Sequence, residues 1–136
     1  MANALYDKGR EKFLKGEISW NNDTIKAMLV DAADYTPNLA TDEFVSAIAS
    51  GGRVATSGAL ANKTTTAGVA DADDVTFSAV SGDQSEYIIL FKDTGDVATS
   101  PLIAYIDTVS SGLPVTPNGG DIIVQWDNGA SKIFKL

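Results

Sequence analysis

The amino-acid sequence predicts a mainly β protein: an antiparallel β-sandwich or barrel-like fold with one or two short N-terminal helices, in a single domain over residues 1–136. Three observations lead there. Short runs rich in Val, Ile, Thr and aromatic residues recur from Arg53 to the end of the chain, each bounded by Gly, Pro, Asn or Asp. Their close, even spacing favours stacked or closed antiparallel sheets over alternating βαβ units. A chain of 136 residues is also of a size that buries roughly two thirds of its unfolded surface in one core.

The elements follow in order. Asn3 is placed to cap a short helix whose apolar residues Leu5, Tyr6, Phe13 and Leu14 share one side, with Gly16 at its C-terminal end. Glu17 to Trp20 and Thr24 to Val30 read as strands joined by the turn Asn21-Asn22-Asp23. Phe44, Val45 and Ile48 fall at helical spacing behind a Thr41 cap, which predicts a second helix between Thr41 and Ser50. Strands are then expected at Arg53 to Leu60, Lys63 to Val69, Val75 to Val80, Glu86 to Lys92, Leu102 to Thr108, Asp121 to Trp126 and Ser131 to Leu136. Asn128-Gly129 suits a two-residue type I′ turn, which would pair Trp126 with Ser131 and Val124 with Ile133. Val75-Thr76-Phe77-Ser78-Ala79 alternates and fits one buried face, whereas Tyr87 to Phe91 and Leu102 to Ile106 are apolar on both faces. Either the N-terminal helix or a neighbouring subunit would cover the second face.

Composition excludes much of the usual side-chain chemistry. The sequence holds no His and no Cys, so imidazole bases, thiolate nucleophiles and zinc sites of the usual ligands are out of reach. With 18 acidic and 10 basic residues the net charge is −8, a surface that repels phosphate backbones and argues against nucleic-acid binding. The N-terminal segment lacks the basic and apolar regions of a signal peptide. No apolar run is longer than Tyr87 to Phe91, which is too short to span a bilayer. A soluble protein made in the cytoplasm is expected, with no membrane partner.

Each motif that could carry chemistry has a plainer reading. Asp93-Thr94-Gly95 matches the core tripeptide of aspartic proteases, but Lys92 and Asp96 flank it with charge where that site needs a buried shared proton. A turn between strands explains it better. Asp71-Ala72-Asp73-Asp74 could offer oxygen to calcium, yet lacks the Gly and closing Glu of an EF-hand loop. Trp20, Trp126, Tyr35, Tyr87 and Tyr105 could form a sugar-stacking platform or simply core and interface. Gly82-Asp83-Gln84-Ser85-Glu86 is no nucleophile elbow, and Lys63-Thr64 lacks the glycine of a phosphate loop. No enzyme activity, catalytic residue, metal or cofactor is expected.

Several stretches resemble a family of short virion structural proteins of tailed bacteriophages and prophages. They are Ala4 to Leu14 with Thr24-Ile25-Lys26 and Val30-Asp31, then Arg53 to Leu60, Gly82 to Ser85, Leu102 to Asp107, Gly112 to Asp121 and Trp126-Asp127-Asn128-Gly129 to Leu136, nearly the whole chain. The resemblance implies a head decoration or cement protein, with a neck, tail or fibre component as the alternative. It implies residence in the virion after synthesis in the host cytoplasm, other virion proteins as partners (the major capsid protein or neck and tail proteins), and a homo-oligomer or many copies on a symmetric particle. Contacts are expected at residues such as Tyr35, Leu39, Leu113 and Trp126. A carbohydrate-binding β-sandwich module is the reading outside that class.

Overall fold

A computed structural model describes residues 3–136. Among these residues the fold is mainly β, with 31% strand against 13% helix, all sheets antiparallel and no closed barrel. Its centre is a five-stranded sheet of β1 (Ala4–Leu5), β2 (Ile25–Val30), β3 (Arg53–Thr56), β6 (Tyr87–Lys92) and β7 (Leu102–Ile106), ordered β1-β7-β6-β2-β3. Two short ladders accompany it: β4 (Val69–Ala70) pairs with β9 (Phe134–Lys135), and β5 (Val75–Phe77) pairs with β8 (Ile122–Val124). One α-helix, α1 (Asp7–Leu14), follows β1.

Strand alternation divides the central sheet between two cores. Ile25, Ala27 and Leu29 of β2 and Ile88 and Leu90 of β6 join Phe77, Val124, Trp126 and Phe134 of the ladder side. Met28 and Val30 of β2 and Tyr87, Ile89 and Phe91 of β6 join Tyr6, Tyr35, Val45 and Ile48 on the other side. β7 departs from strict alternation because its pairing shifts between Leu90↔Ala104 and Phe91↔Leu102, leaving Ile103 as the extra residue of a bulge. Ile103 and Ala104 consequently face the same core.

The cover for the second face is neither of the two expected. Tyr35, Val45 and Ile48, from the irregular segment between β2 and β3, close it, with Tyr6 from the residue before α1. Ile89 and Leu102, which face this side, are fully buried within the single chain, so this face needs no neighbouring subunit.

α1 instead packs against the edge of β7. Gly9 is buried, and a Cβ there would lie 2.7 Å from the Leu102 carbonyl oxygen and 3.2 Å from Ile103 Cα. The helix takes over that edge where the two-residue β1 ends, which shields it from pairing with another chain.

Several sequence expectations are corrected, each by a competing hydrogen bond. Asn3 does not cap α1. Its side chain accepts the Asp107 and Thr108 amides and donates to the Thr108 carbonyl, and Tyr6 occupies the cap position without a side-chain bond. Gly16 does stand just past the helix at φ 76°. Glu17 to Trp20 is not a strand, because the Glu17 and Ile18 amides bond to Lys12 and the Ser19 amide bonds to the Asp23 carboxylate at 2.7 Å.

The second α-helix is absent. The Val45 and Ser46 amides bond across to Ser100 and Val97, leaving only 3-10 turns at Val45–Ala47 and Ser50–Gly52. Lys63 to Val69 turns back on itself through Ala67 and Gly68, both at positive φ, so that Thr64 pairs with Asp71.

The Asn128-Gly129 hairpin does not form. Neither residue has positive φ; Lys132 does, at 47°. The Asp127 carboxylate accepts the Gly129 amide, while the Trp126 amide is held by the Asp74 carboxylate. β8 and β9 thus part company, one pairing with β5 and the other with β4. The alternation of Val75-Thr76-Phe77, the hairpin of β6 and β7 and the two-faced character of both are as expected.

Candidate functional site

Among the described residues, three carboxylates close enough together to hold a metal ion lie at one end of β2 and β6. Val30 pairs with Tyr87, and the Glu86 amide bonds to the Val30 carbonyl at 3.2 Å. Asp31, one residue beyond β2, therefore meets Glu86, one residue before β6. Asp34 returns to the same place through a tight turn in which its amide bonds to the Asp31 carbonyl at 3.1 Å, and the Asp31 carboxylate accepts the Ala33 amide at 2.9 Å. Asp83 arrives from the loop before β6. Carboxylate oxygens of Asp31, Asp34 and Asp83 lie within 4.8 Å of one another.

Asp31 is buried, whereas Asp34 and Asp83 are exposed. One oxygen of Glu86, Oε2, is buried without a hydrogen-bond partner. Burial first, and then the nearby Asp31 carboxylate, raise the Glu86 pKa above its ordinary value, against a lowering from the Ala32 amide. The donor set is all oxygen, which would suit calcium or magnesium and not the softer transition metals. Its other chemistry is to favour a proton on Glu86, half-buried beside the Asp31 carboxylate. Sequence reading missed this cluster; the signal available was the pair Asp31-Ala32-Ala33-Asp34 and Asp83-Gln84-Ser85-Glu86, separated by nearly fifty residues.

A pH dependence follows. Because the folded state holds the Glu86 proton more tightly than the unfolded chain, stability contributed by that proton is full below the ordinary carboxylate range and is lost as pH rises through the raised folded value. Glu86→Gln should therefore melt at a higher temperature than the parent at pH 7, with the advantage gone below about pH 4. Thermal melts of both proteins across that range measure it, and an equal gap at both ends would count against the assignment.

The motifs singled out in the sequence are occupied structurally. Asp93 of Asp93-Thr94-Gly95 pairs with Lys26 at 2.7 Å and accepts the Gly95 amide at 2.9 Å, and both interactions, the Lys26 hydrogen bond foremost, hold its carboxyl below the usual range. It begins the turn from β6 to β7. In the acidic loop, the Asp73 carboxylate accepts Asn62 and the Asp74 carboxylate accepts the Trp126 amide, while the Asp71 and Asp73 carbonyls accept the two indole N–H groups of Trp20 and Trp126.

Both tryptophans are buried and offer no coplanar stacking surface. Tyr6, Tyr35, Tyr87 and Tyr105 form a buried cluster on the other face. The Tyr6 and Tyr35 hydroxyls share a hydrogen bond at 2.8 Å, Tyr35 donates to Asp42 at 2.7 Å, and Tyr87 donates to the Tyr35 carbonyl. Burial pushes the Tyr87 hydroxyl up to about 12, and raises Tyr6, Tyr35 and Tyr105 as well.

Of the expected contact residues, then, Tyr35 and Trp126 turn their rings into the chain's own cores, while Leu39 and Leu113 are half-buried and pack against the Tyr35 and Trp126 sides respectively. Tyr35 and Leu39 thus share one core, and Trp126 and Leu113 the other. No protein-family model matches this chain, and no curated protein matches it in sequence.

Proposed function

We propose that the protein is a structural component of a tailed-bacteriophage particle, and within that class a head decoration or cement protein. It would act through many weak contacts with neighbouring virion subunits, the major capsid protein foremost, as a homo-oligomer or as repeated copies. The observation that carries this reading is the resemblance to short virion proteins over nearly the whole chain. The strings that bear it form β1 and α1, the two ends of β2, β3 with the loop after it, the turn before β6, β7, the long connection before β8 and the C-terminal segment.

The fold supports the same reading in a second way. Both faces of the central sheet are closed by the chain itself, so contact falls to loops and rims, which suits a preformed knob on a lattice. We read the β4–β9 and β5–β8 ladders as the second layer of an antiparallel sandwich laid over the first core. The carbohydrate-binding reading loses its tryptophan platform to burial.

Particles made without the protein should still assemble, but should burst at lower temperature or on milder osmotic shock than complete ones. Nuclease sensitivity of the packaged genome after graded heating measures this. Heads of full strength with failed tail attachment or adsorption would move the protein to the neck, tail or fibre. A protein that never co-purifies with particles would sink both placements.

A further inference from the structure

On a molecule of net charge −8, cations converge on one cleft. The cleft has a volume of about 260 Å³ and lies between β1 and the C-terminal segment, with Arg10, Lys132 and Lys135 on its walls and Leu5 and Phe134 among its apolar lining. Asp127 is its one carboxylate, and that group already accepts the Gly129 amide at 3.2 Å.

The cations are available. The Lys132 and Lys135 ammonium groups have no ion pair or hydrogen bond among the described residues. Arg10 meets Asp7 at 3.3 Å, but both side chains are more than half exposed, a pair of little energetic weight. Most other basic side chains are taken: Lys8, Lys12, Lys26 and Lys92 hold carboxylates, and Arg53 and Lys63 donate to backbone carbonyls. Lys132 is also held at φ 47°, a left-handed conformation that a non-glycine residue adopts at a cost.

The backbone adds a second kind of complementarity. β1 pairs with β7 on one side only. The Tyr6 amide points to Ile103 of β7 at 3.0 Å, so strand alternation turns the Leu5 amide and carbonyl the other way, along the cleft.

We propose that this cleft binds an extended, carboxylate-bearing segment of a partner polypeptide, which adds to the free edge of β1 while its acidic side chains meet Arg10, Lys132 and Lys135. A polyphosphate chain is disfavoured, since it would carry its charge out over the acidic remainder of the surface, whereas a few carboxylates feel only the field within a Debye length. The apolar lining suits the aliphatic stems of an extended peptide. The inference stands apart from the particle reading, since its test needs no particle.

The test titrates the isotopically labelled full chain with a short synthetic peptide alternating Glu and Thr, at low and at physiological salt, and follows amide shifts by NMR. Saturable shifts should gather at Ala4, Leu5 and Ser131 to Lys135 and weaken with salt. Lys132→Gln combined with Lys135→Gln should weaken the affinity about tenfold or more, given what charged hydrogen bonds contribute, with an unchanged melting temperature. Shifts scattered over the surface, or an affinity untouched by the double change, would overturn the proposal. Inorganic phosphate matching the peptide in affinity and shift pattern would replace it with a small-anion site. Self-association of the parent in sedimentation that vanishes in the double variant would give the cleft to a second copy.

Discussion

Trp126→Ala should lower folding stability by about 3–5 kcal/mol, the usual range for deleting a large aromatic from a core. Trp126 is 3% exposed and belongs to the cluster that includes Phe77, Val124, Ile133 and Phe134. Its indole N–H donates to the Asp73 carbonyl at 3.0 Å, so truncation removes apolar contact and orphans a carbonyl together. Trp126→Phe should recover most of the packing but not the hydrogen bond, and should cost less. Urea denaturation of the three proteins, read by tyrosine fluorescence and far-UV circular dichroism, separates the two contributions. A loss below about 1 kcal/mol for the alanine variant would mean the ring is a surface contact after all.

Gly112→Ala should be nearly as damaging for a different reason. Gly112 stands at φ 114°, in a region that L side chains rarely adopt, and a Cβ there would come within 2.8 Å of the Ile123 carbonyl oxygen and 3.0 Å of Val124 Cα. The neighbouring atoms are backbone of β8 and cannot rotate aside. Strain of about 1–3 kcal/mol adds to overpacking of about 1–3 kcal/mol, and β8 would have to shift. Since β8 carries Ile122 and Val124 into the first core, loss of near-UV circular dichroism should accompany the fall in melting temperature. A melting temperature equal to the parent's would refute the close approach.

The middle of the central sheet was legible in the sequence because its strands are long and apolar enough to declare themselves, whereas β1, two residues long, falls where Leu5 and Tyr6 were expected to begin the helix. β2, β6 and β7 carry runs such as Ile25 to Val30, Tyr87 to Phe91 and Leu102 to Ile106, whose burial is dictated by composition alone. What sequence could not supply was the partner of each short strand. Asn128-Gly129 has the residues of a tight hairpin, but the Asp74 carboxylate claims the Trp126 amide and the turn is used otherwise. Residues 41–50 have helical spacing because two of the apolar residues, Val45 and Ile48, must both face the sheet. A 3-10 turn meets that demand as well as a helix, and the bond from the Val45 amide to Ser100 decides in its favour.

The acidic cluster was hidden for a related reason. Asp31 and Glu86 are unremarkable in isolation and become neighbours only through the register Val30↔Tyr87. The basic cleft likewise joins Arg10 of α1 to Lys132 and Lys135 at the other end of the chain. Sequence-distant convergence of this kind leaves no local spacing to read.

The terminal strands have a mechanical consequence. β1 is fastened to β7, and β9 to β4, by two paired residues each, whereas β2 and β6 run together over six. Tension applied through the two ends of the chain would reach these short ladders before it reached the middle. They would peel first, lengthening the molecule while β2, β6 and β7 stayed joined. A lattice that held such a protein by its ends would gain slack ahead of rupture, and one that held it by its central rim would not.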